Sequence, residues 1–366
     1  MKVQDITSFL ETLAPSVLQE DYDNAGLIVG SPAMECTGIL VTLDATPEVI
    51  REAKEKKCNL VVAHHPIVFR GLKKINGKNY VEEAVITAIK NDIAVFAIHT
   101  NLDNVIHGVN GKMADMLGLV NRRVLAPGPG RLKKLAVFVP VAHRDKLMDA
   151  LFAAGAGHIG RYSECSFSME GTGTFLAGEG TDPFVGEIGK RHTEAESRLE
   201  VIFPSWLQGS ILASMRSSHP YEEIAYDIYS LDNQYNEIGS GLIGDLPVPV
   251  SETEMLQTLS KVFRVPVIRH TPLINKKISK VALCGGSGSF LTRAAISAGA
   301  DMFITADVKY HEFFDAEGRL VLADIGHFES EQFTSDLLID QLSRNFPNFA
   351  VLKTGVQTNP VMYFKG

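Results

Sequence analysis

The sequence predicts an α/β protein: a split α/β domain with a mostly parallel sheet, interrupted by an inserted ferredoxin-like α+β module. Three observations carry this reading. In residues 1–130, short continuously apolar runs alternate with stretches of helical spacing, the pattern of buried parallel strands separated by helices. The same alternation returns in residues 236–366. Between them, residues 131–235 read β-α-β-β-α-β, the order of a ferredoxin-like sandwich.

The chain opens on a helix, because Val3, Ile6, Phe9, Leu10 and Leu13 repeat at helical spacing. Asp5 and Glu11 inside that stretch set it apart from a secretion signal. Gly38–Asp44 (GILVTLD) is a strand, and Thr46 is placed to cap the next helix with Pro47 at its first position. Leu60–Ala63 is a second strand, YVEEAVITAIKN a helix, Ile93–His99 a third strand, and a helix follows through Lys112–Leu117. The middle segment takes strands from Leu135–Ala142, CSFSMEGTGTFLAG, RLEVIFP and Ile224–Leu231, with helices from HRDKLMDALFAAGAG and SWLQGSILASMRSS. CSFSMEGTGTFLAG alternates polar and apolar residues, as a half-buried antiparallel strand does. Its flanks, Leu125–Arg131 and Asn233–Gly241, are rich in linker residues. In the last part Ile278–Cys284, Asp301–Asp307, Arg319–Ile325 and FAVLKT are strands; SFLTRAAISAG, a short KYHEFFDAEG and SEQFTSDLLIDQLSRNF are helices.

Composition narrows the function. With 45% hydrophobic and 21% charged residues over 366 positions, the chain has the make-up of a soluble globular protein of about two domains. A formal charge of −8 leaves no basic footprint for nucleic acid. Four scattered cysteines without a C-x-x-C pair, and no apolar run of about 20 residues, point to a reducing, cytoplasmic setting away from the membrane.

In parallel α/β sheets, functional groups gather at the carboxyl ends of strands. Here those ends carry His64 and His65; His99, Thr100, Asn101 and Asp103; Asp307, Lys309, Tyr310 and His311; and Asp324, His327, Glu329 and Glu331. Any one of these passes as an ordinary polar residue, and Glu331 as a solvated first-turn acid. Their concentration on one predicted sheet edge is what makes a metal site, with room for two ions. His64 and His65 face opposite ways on an extended segment; just past a strand end, before Pro66, they can splay toward two ions. His327 and Glu331 are four apart, on one face of a helical turn, and Asp103 and Glu331 suit a bridging role. Imidazole with carboxylate ligation suits zinc, iron or manganese.

Weaker signals keep two readings each. Cys284–Ser289 (CGGSGS) either offers amides to a phosphate or packs a strand tightly onto a helix. Asp23–Leu27 is a ligand loop or a turn. His219–Tyr229 (HPYEEIAYDIY) is dense in aromatics and acids, as an interface or as a packed final strand. His107, His143, His158, His192 and His270 have no spacing partner.

Together AHHP, HTNLD, TADVKYHE, DIGHFESEQF and the early DNAGL resemble the dinuclear-metal GTP cyclohydrolase 1 type 2 homologue family, the interacting-factor-three-like proteins, over roughly Met1–Pro129 and Gly239–Gly366. The middle segment resembles the PII-like or CutA-like insert of the long bacterial members. The resemblance implies His64, His65, Asp103, His327 and Glu331 as ligands of two divalent cations, Glu331 bridging, in a homohexamer. It also implies a small-molecule, nucleotide-type substrate, with hydrolytic opening of the guanine imidazole ring and release of formate. His99, Asp307 or His311 then serves as proton carrier or ligand orienter, and the Gly285–Gly288 turn with Lys309 takes the triphosphate. Two other functions fit the same residues: a metal-dependent phosphoesterase, and a non-catalytic regulator whose metals brace an oligomer.

Overall fold

The apolar runs form the inner strands of two separate sheets, where the sequence suggested one. The structure, a computed structural model, describes residues 1–364. The chain divides into a unit of Met1–Pro127 with Asn236–Gly366, and a second unit, Gly128–Tyr235.

In the first unit, a five-stranded sheet runs in the order Gly26–Val29, Ala94–Ala97, Leu60–His65, Ile39–Asp44, Val351–Lys353. Only the Gly26–Val29 pairing is antiparallel. The central strands are apolar throughout because they are covered on both faces; Ile39, Leu40, Leu60 and Val61 are fully buried. Helices Pro47–Glu55 and Tyr80–Lys90 pack on them through Val49, Ile50, Ala84 and Ala88. Thr46 and Asn79 cap those helices by accepting from the backbone N–H groups of Val49 and Glu82.

The six-stranded sheet runs Arg269–His270, Val321–Asp324, Met302–Ala306, Lys277–Ser287, Gly239–Ser251, Val120–Pro127. Its two inner pairings are parallel and the other three antiparallel, so "mostly parallel" holds for the first sheet and not for this one. The expected linkers, Leu125–Arg131 and Asn233–Gly241, contain both boundaries between the units, but their outer ends are in the sheet: Leu125–Pro127 closes the strand Val120–Pro127, which pairs with Gly239–Ser251. Pro247 and Pro249 fall in the register break between Asp245 and Val250, where a missing N–H costs the ladder nothing. The helix Glu252–Val262, with a Ser251–Glu254 capping box, was not anticipated either; Met255 and Leu259 are its buried face.

The predicted C-terminal helix is in fact two: a short turn, His327–Glu331, and the amphipathic Thr334–Asn345. Among the described residues no helix is long and apolar enough to cross a membrane.

The second unit holds a four-stranded antiparallel sheet, ordered Ser166–Leu176, Arg191–Pro204, Leu132–Pro140, Tyr226–Leu231. Helices Arg144–Ala153 and Gln208–Ser218 close one face over Leu135, Val137, Leu199, Val201 and Phe203.

Phe303 is fully buried in the second sheet of the first unit, against Ala282 and Leu322. Phe303→Ala should cost about 3–5 kcal/mol in urea-induced unfolding, and a loss below about 1 kcal/mol would contradict this packing.

Candidate metal centre

Strand ends from both sheets of the first unit converge on one carboxylate. Leu60–His65 delivers His64 and His65 at its carboxyl end, and the neighbouring strand Ala94–Ala97 leads into His99 and the one-turn helix Thr100–Asp103. From the other sheet, Val321–Asp324 leads into the short helix carrying His327 and Glu331. Glu331 is 3% exposed. Its Oε2 lies 3.0 Å from His65 Nε2, 3.1 Å from His327 Nε2 and 3.9 Å from His64 Nε2. The rings of His64 and His65 are 4.9 Å apart, both in this cluster.

The glycine turn explains how a carboxylate fits so deep. Gly286 has φ +60°, and a Cβ there would run into the Glu331 carboxylate; one at Gly285 would come within 2.8 Å of Val109. The amides of Gly285, Gly286 and Gly288 donate to Asn110, Ser330 and Thr305 respectively. Close packing therefore accounts for CGGSGS, and these three amides are not available to a triphosphate.

Each imidazole is anchored from behind. Nδ1 of His64 meets the Ile98 carbonyl at 2.8 Å, Nδ1 of His65 meets Asp44 at 2.7 Å, and Nδ1 of His327 meets Asp307 at 2.6 Å. His99 Nδ1 meets Asp23 at 2.7 Å. A carbonyl or an ionised carboxylate only accepts, so every one of these Nδ1 atoms carries a proton. That leaves a lone pair on His64 Nε2, whereas Nε2 of His65 and of His327 donates to the Glu331 carboxylate and would have to give up that proton to face a cation. That is how metal-binding histidines are held.

Two atoms show what this interior lacks. His64 Nε2 and Asp103 Oδ1 are buried with no hydrogen-bond partner among the described residues, and they lie 3.6 Å apart. A buried polar atom without a partner is costly, and a cation between them would satisfy both. Donor atoms of three overlapping triads lie within 4.8 Å of one another: His64, His65, His99; His65, His327, Glu331; and His64, Asp103, Glu331. The residues present fit divalent cations bound through nitrogen and oxygen.

The electrostatics agree. Burial lowers His64 to about 3, leaving it neutral. Burial would lower His65 and His327 too, but hydrogen bonds and charge from Asp44, Asp307 and Glu331 push them up to about 10 and about 11. Burial would raise Glu331, and the two imidazoles outweigh it and hold its pKa well down. Asp103 moves the other way, raised by burial and by the Glu331 charge. Without metal, the acids of this site draw protons onto two histidines; the cluster demands positive charge.

Two cavities open beside the cluster, of about 490 and about 560 Å³. Tyr22, Phe69, His99 and Phe290 line the first; Arg269, Asn359 and Tyr363 the second; Asp44, His65 and His327 border both. Of the candidates read from sequence, His64, His65, Asp103, His327 and Glu331 come together, and His99 and Asp307 touch the cluster. His311 does not: it is exposed on the 3-10 helix Tyr310–Ala316, its ring stacked on Phe314, and lines neither cavity. Lys309 is likewise outside, its amine 3.8 Å from Glu312. Sequence reasoning missed Asp44 and Asp23. Asp44 ends a predicted strand and had that signal; Asp23 lies in DNAGL, where nothing local pairs it with His99, 76 positions on.

The sequence profile of the family described as Duf34/NIF3 (NGG1p interacting factor 3) matches residues 1–360. The chain is 41% identical over 327 residues to the GTP cyclohydrolase 1 type 2 homolog of Halalkalibacterium halodurans, covering 88% of both chains. The protein of the same name from Bacillus subtilis is 38% identical over 327 residues, 89% of this chain and 88% of that one. The crystal structure of a Bacillus cereus protein related to NIF3 superposes with a TM-score of 0.87 at 36% identity, covering 100% of this chain and 99% of the other.

If Asp44 and Asp307 hold the metal-facing imidazoles, Asp44→Asn or Asp307→Asn should weaken zinc or manganese affinity about 10–100-fold while leaving the circular dichroism spectrum intact. Equal affinity in competition with a chelating dye would count against the anchoring. Asp23 gives a second expectation. Burial would raise its pKa, but hydrogen bonds from His99 and Thr100 lower it to about 2. Its contribution is present above the ordinary carboxylate value of 3.8 and is lost as pH falls toward about 2. In metal-free protein, Asp23→Asn should cost about 1–3 kcal/mol at neutral pH, the gap to the parent chain closing on acidification. A gap independent of pH would refute the pairing.

Proposed function

The chain belongs to the Duf34/NIF3 family, and on that footing we propose that it is a dinuclear metal-dependent hydrolase acting on a small nucleotide-type substrate. His64, His65, Asp103, His327 and Glu331 would hold two divalent cations, zinc, iron or manganese. One observation supports this most: two buried atoms, His64 Nε2 and Asp103 Oδ1, face each other with no hydrogen-bond partner among the described residues, inside a ring of imidazoles already anchored from behind. When bound, such cations supply Lewis acidity and a hydrolytic nucleophile from water near neutral pH.

The chain's own residues do the rest. Asp44 and Asp307 keep His65 and His327 in one tautomer and one orientation. Asp307 thereby orients, and His99 is the proton carrier: Asp23 fixes its Nδ1–H, and its Nε2 is left to take or return a proton at the cavity of about 490 Å³. Tyr22, Phe69 and Phe290 give that cavity an aromatic wall against which a planar base can lie. The curated relatives are named GTP cyclohydrolase 1 type 2 homologs, and that name makes GTP, with ring opening and formate release, the first substrate to try. We read Gly128–Tyr235 as an inserted ferredoxin-like, PII-like module, which its antiparallel strand order supports, and the assembly as a cytoplasmic homohexamer.

His65→Ala and Glu331→Ala should each lose bound metal and turnover, and keep far-ultraviolet circular dichroism close to the parent. Metal analysis by plasma mass spectrometry and a formate assay on GTP read both, with a phosphodiester panel run in parallel. Full metal content in Glu331→Ala would sink the site. Phosphodiester cleavage without formate would move the reaction to phosphoryl transfer. No turnover on either, together with loss of the oligomer on chelation, would favour a metal-braced scaffold.

A further inference from the structure

The module Gly128–Tyr235 carries a cavity of about 430 Å³ that the metal chemistry does not use. We propose that it is a binding site for a small organic ammonium ion, lined by Phe175, Phe184 and Tyr221 and faced by the carboxylate of Glu196.

The cavity lies on the sheet face opposite the two helices. In the pairing of Ser166–Leu176 with Arg191–Pro204, Gly171, Gly173 and Phe175 stand across from Glu196, Glu194 and His192. Alternation puts these on one face, while Ser197 and Leu199 point into the core. Two glycines inside a strand weaken it, so their use here needs a reason. A Cβ at Gly173 would collide with the Glu196 carboxylate. The glycine lets that acid lie flat across the neighbouring strand, at the base of the cavity.

Three aromatic rings close over it from three segments. Phe175 comes from the strand, Phe184 from the following loop, and Tyr221 from the HPYEE stretch. Tyr221 sits 6.3 Å from Phe175 and 6.2 Å from Phe184, centroid to centroid. The Tyr221 hydroxyl donates to Glu196 at 3.0 Å. Its position is fixed by His219, which is buried and held neutral: Nε2 donates to the Phe138 carbonyl at 2.9 Å, and Nδ1 accepts the Tyr221 N–H at 3.1 Å. Glu222 accepts the Asp182 N–H at 3.0 Å, tying the loop to the same wall. This is a built recess, with Phe184 at its outer edge still 52% exposed.

Charge decides its occupant. The lining includes Glu196, Glu222 and Glu223, and no Lys or Arg. Arg198, on the flank above Phe138, is paired with Glu200 at 2.9 Å. An anion would be repelled, and a neutral apolar ligand would strip water from carboxylates and return nothing. An ammonium ion with an apolar body uses both features: its charge meets the acids and the negative ring faces, and its carbon skin fills the space.

Isothermal titration of the full chain with choline, phenethylamine and the uncharged analogue of choline, in which tert-butyl replaces trimethylammonium, tests this. One ammonium ion should bind per chain, the uncharged analogue about tenfold more weakly or not at all. Glu196→Gln, which keeps shape and removes charge, should weaken binding about tenfold, and Phe184→Ala similarly. Both should keep the parent's melting temperature. Stronger binding of phenethylamine assigns the main grip to the carboxylates, stronger binding of choline to the rings; either supports the site. Equal binding of charged and uncharged probes, no binding of either ammonium ion, or parent-like affinity in Glu196→Gln overturns it. Chelating the metal should leave the result unchanged, which separates this site from the metal centre.

Discussion

A carboxylate buried where two sheets meet is the constraint that the rest of the first unit answers to. Glu331 is almost wholly removed from water, and a buried charge survives only when paired and hydrogen-bonded. Two imidazoles, His65 and His327, supply the pairing, the first from a strand 266 positions away. Room for the acid comes from a glycine that no other residue could replace without meeting it. The short helix His327–Glu331, separate from the longer Thr334–Asn345, sets its direction.

That constraint spreads outward as a chain of orientation. Each imidazole that faces the acid is held from behind by an oxygen, and several of those oxygens are held in turn. Asp44 accepts from Thr358 as well as from His65, which binds the C-terminal segment to the centre. Asp307 accepts from both Ser287 and His327. Asp23 accepts from His99 and from the Thr100 amide. At the centre, His64 Nε2 and Asp103 Oδ1 have no hydrogen-bond partner among the described residues. The outer contacts are complete, and the donor atoms at the centre lie close enough together to hold a metal ion.

The second unit solves a smaller version of the same problem differently. Its acids face a cavity ringed by aromatic side chains, and its one buried histidine, His219, is spent on positioning Tyr221. The second glycine of GTGTF, Gly173, makes sense there as space for Glu196.

The sequence by itself determined the buried strands, since an apolar run such as Leu60–Ala63 has no other stable place, and it determined which residue types end them. It thereby marked a wider group of imidazoles and carboxylates, His99, Asp307 and His311 among them, because strand ends are where an α/β sheet exposes side chains. The choice of His64, His65, Asp103, His327 and Glu331 within that group came from the family resemblance. It did not reveal that these ends belong to two sheets. Leu125–Pro127 and Gly239–Gly241, read as parts of linkers, belong to paired strands, for glycine and proline weaken local propensity and only the ladder shows that their positions are harmless. Nor did it reveal Asp23 behind His99, or the internal use of the glycine-turn amides. Those are distances between segments remote along the chain, and a local pattern carries no information about which remote partner will arrive; only the folded packing decides that.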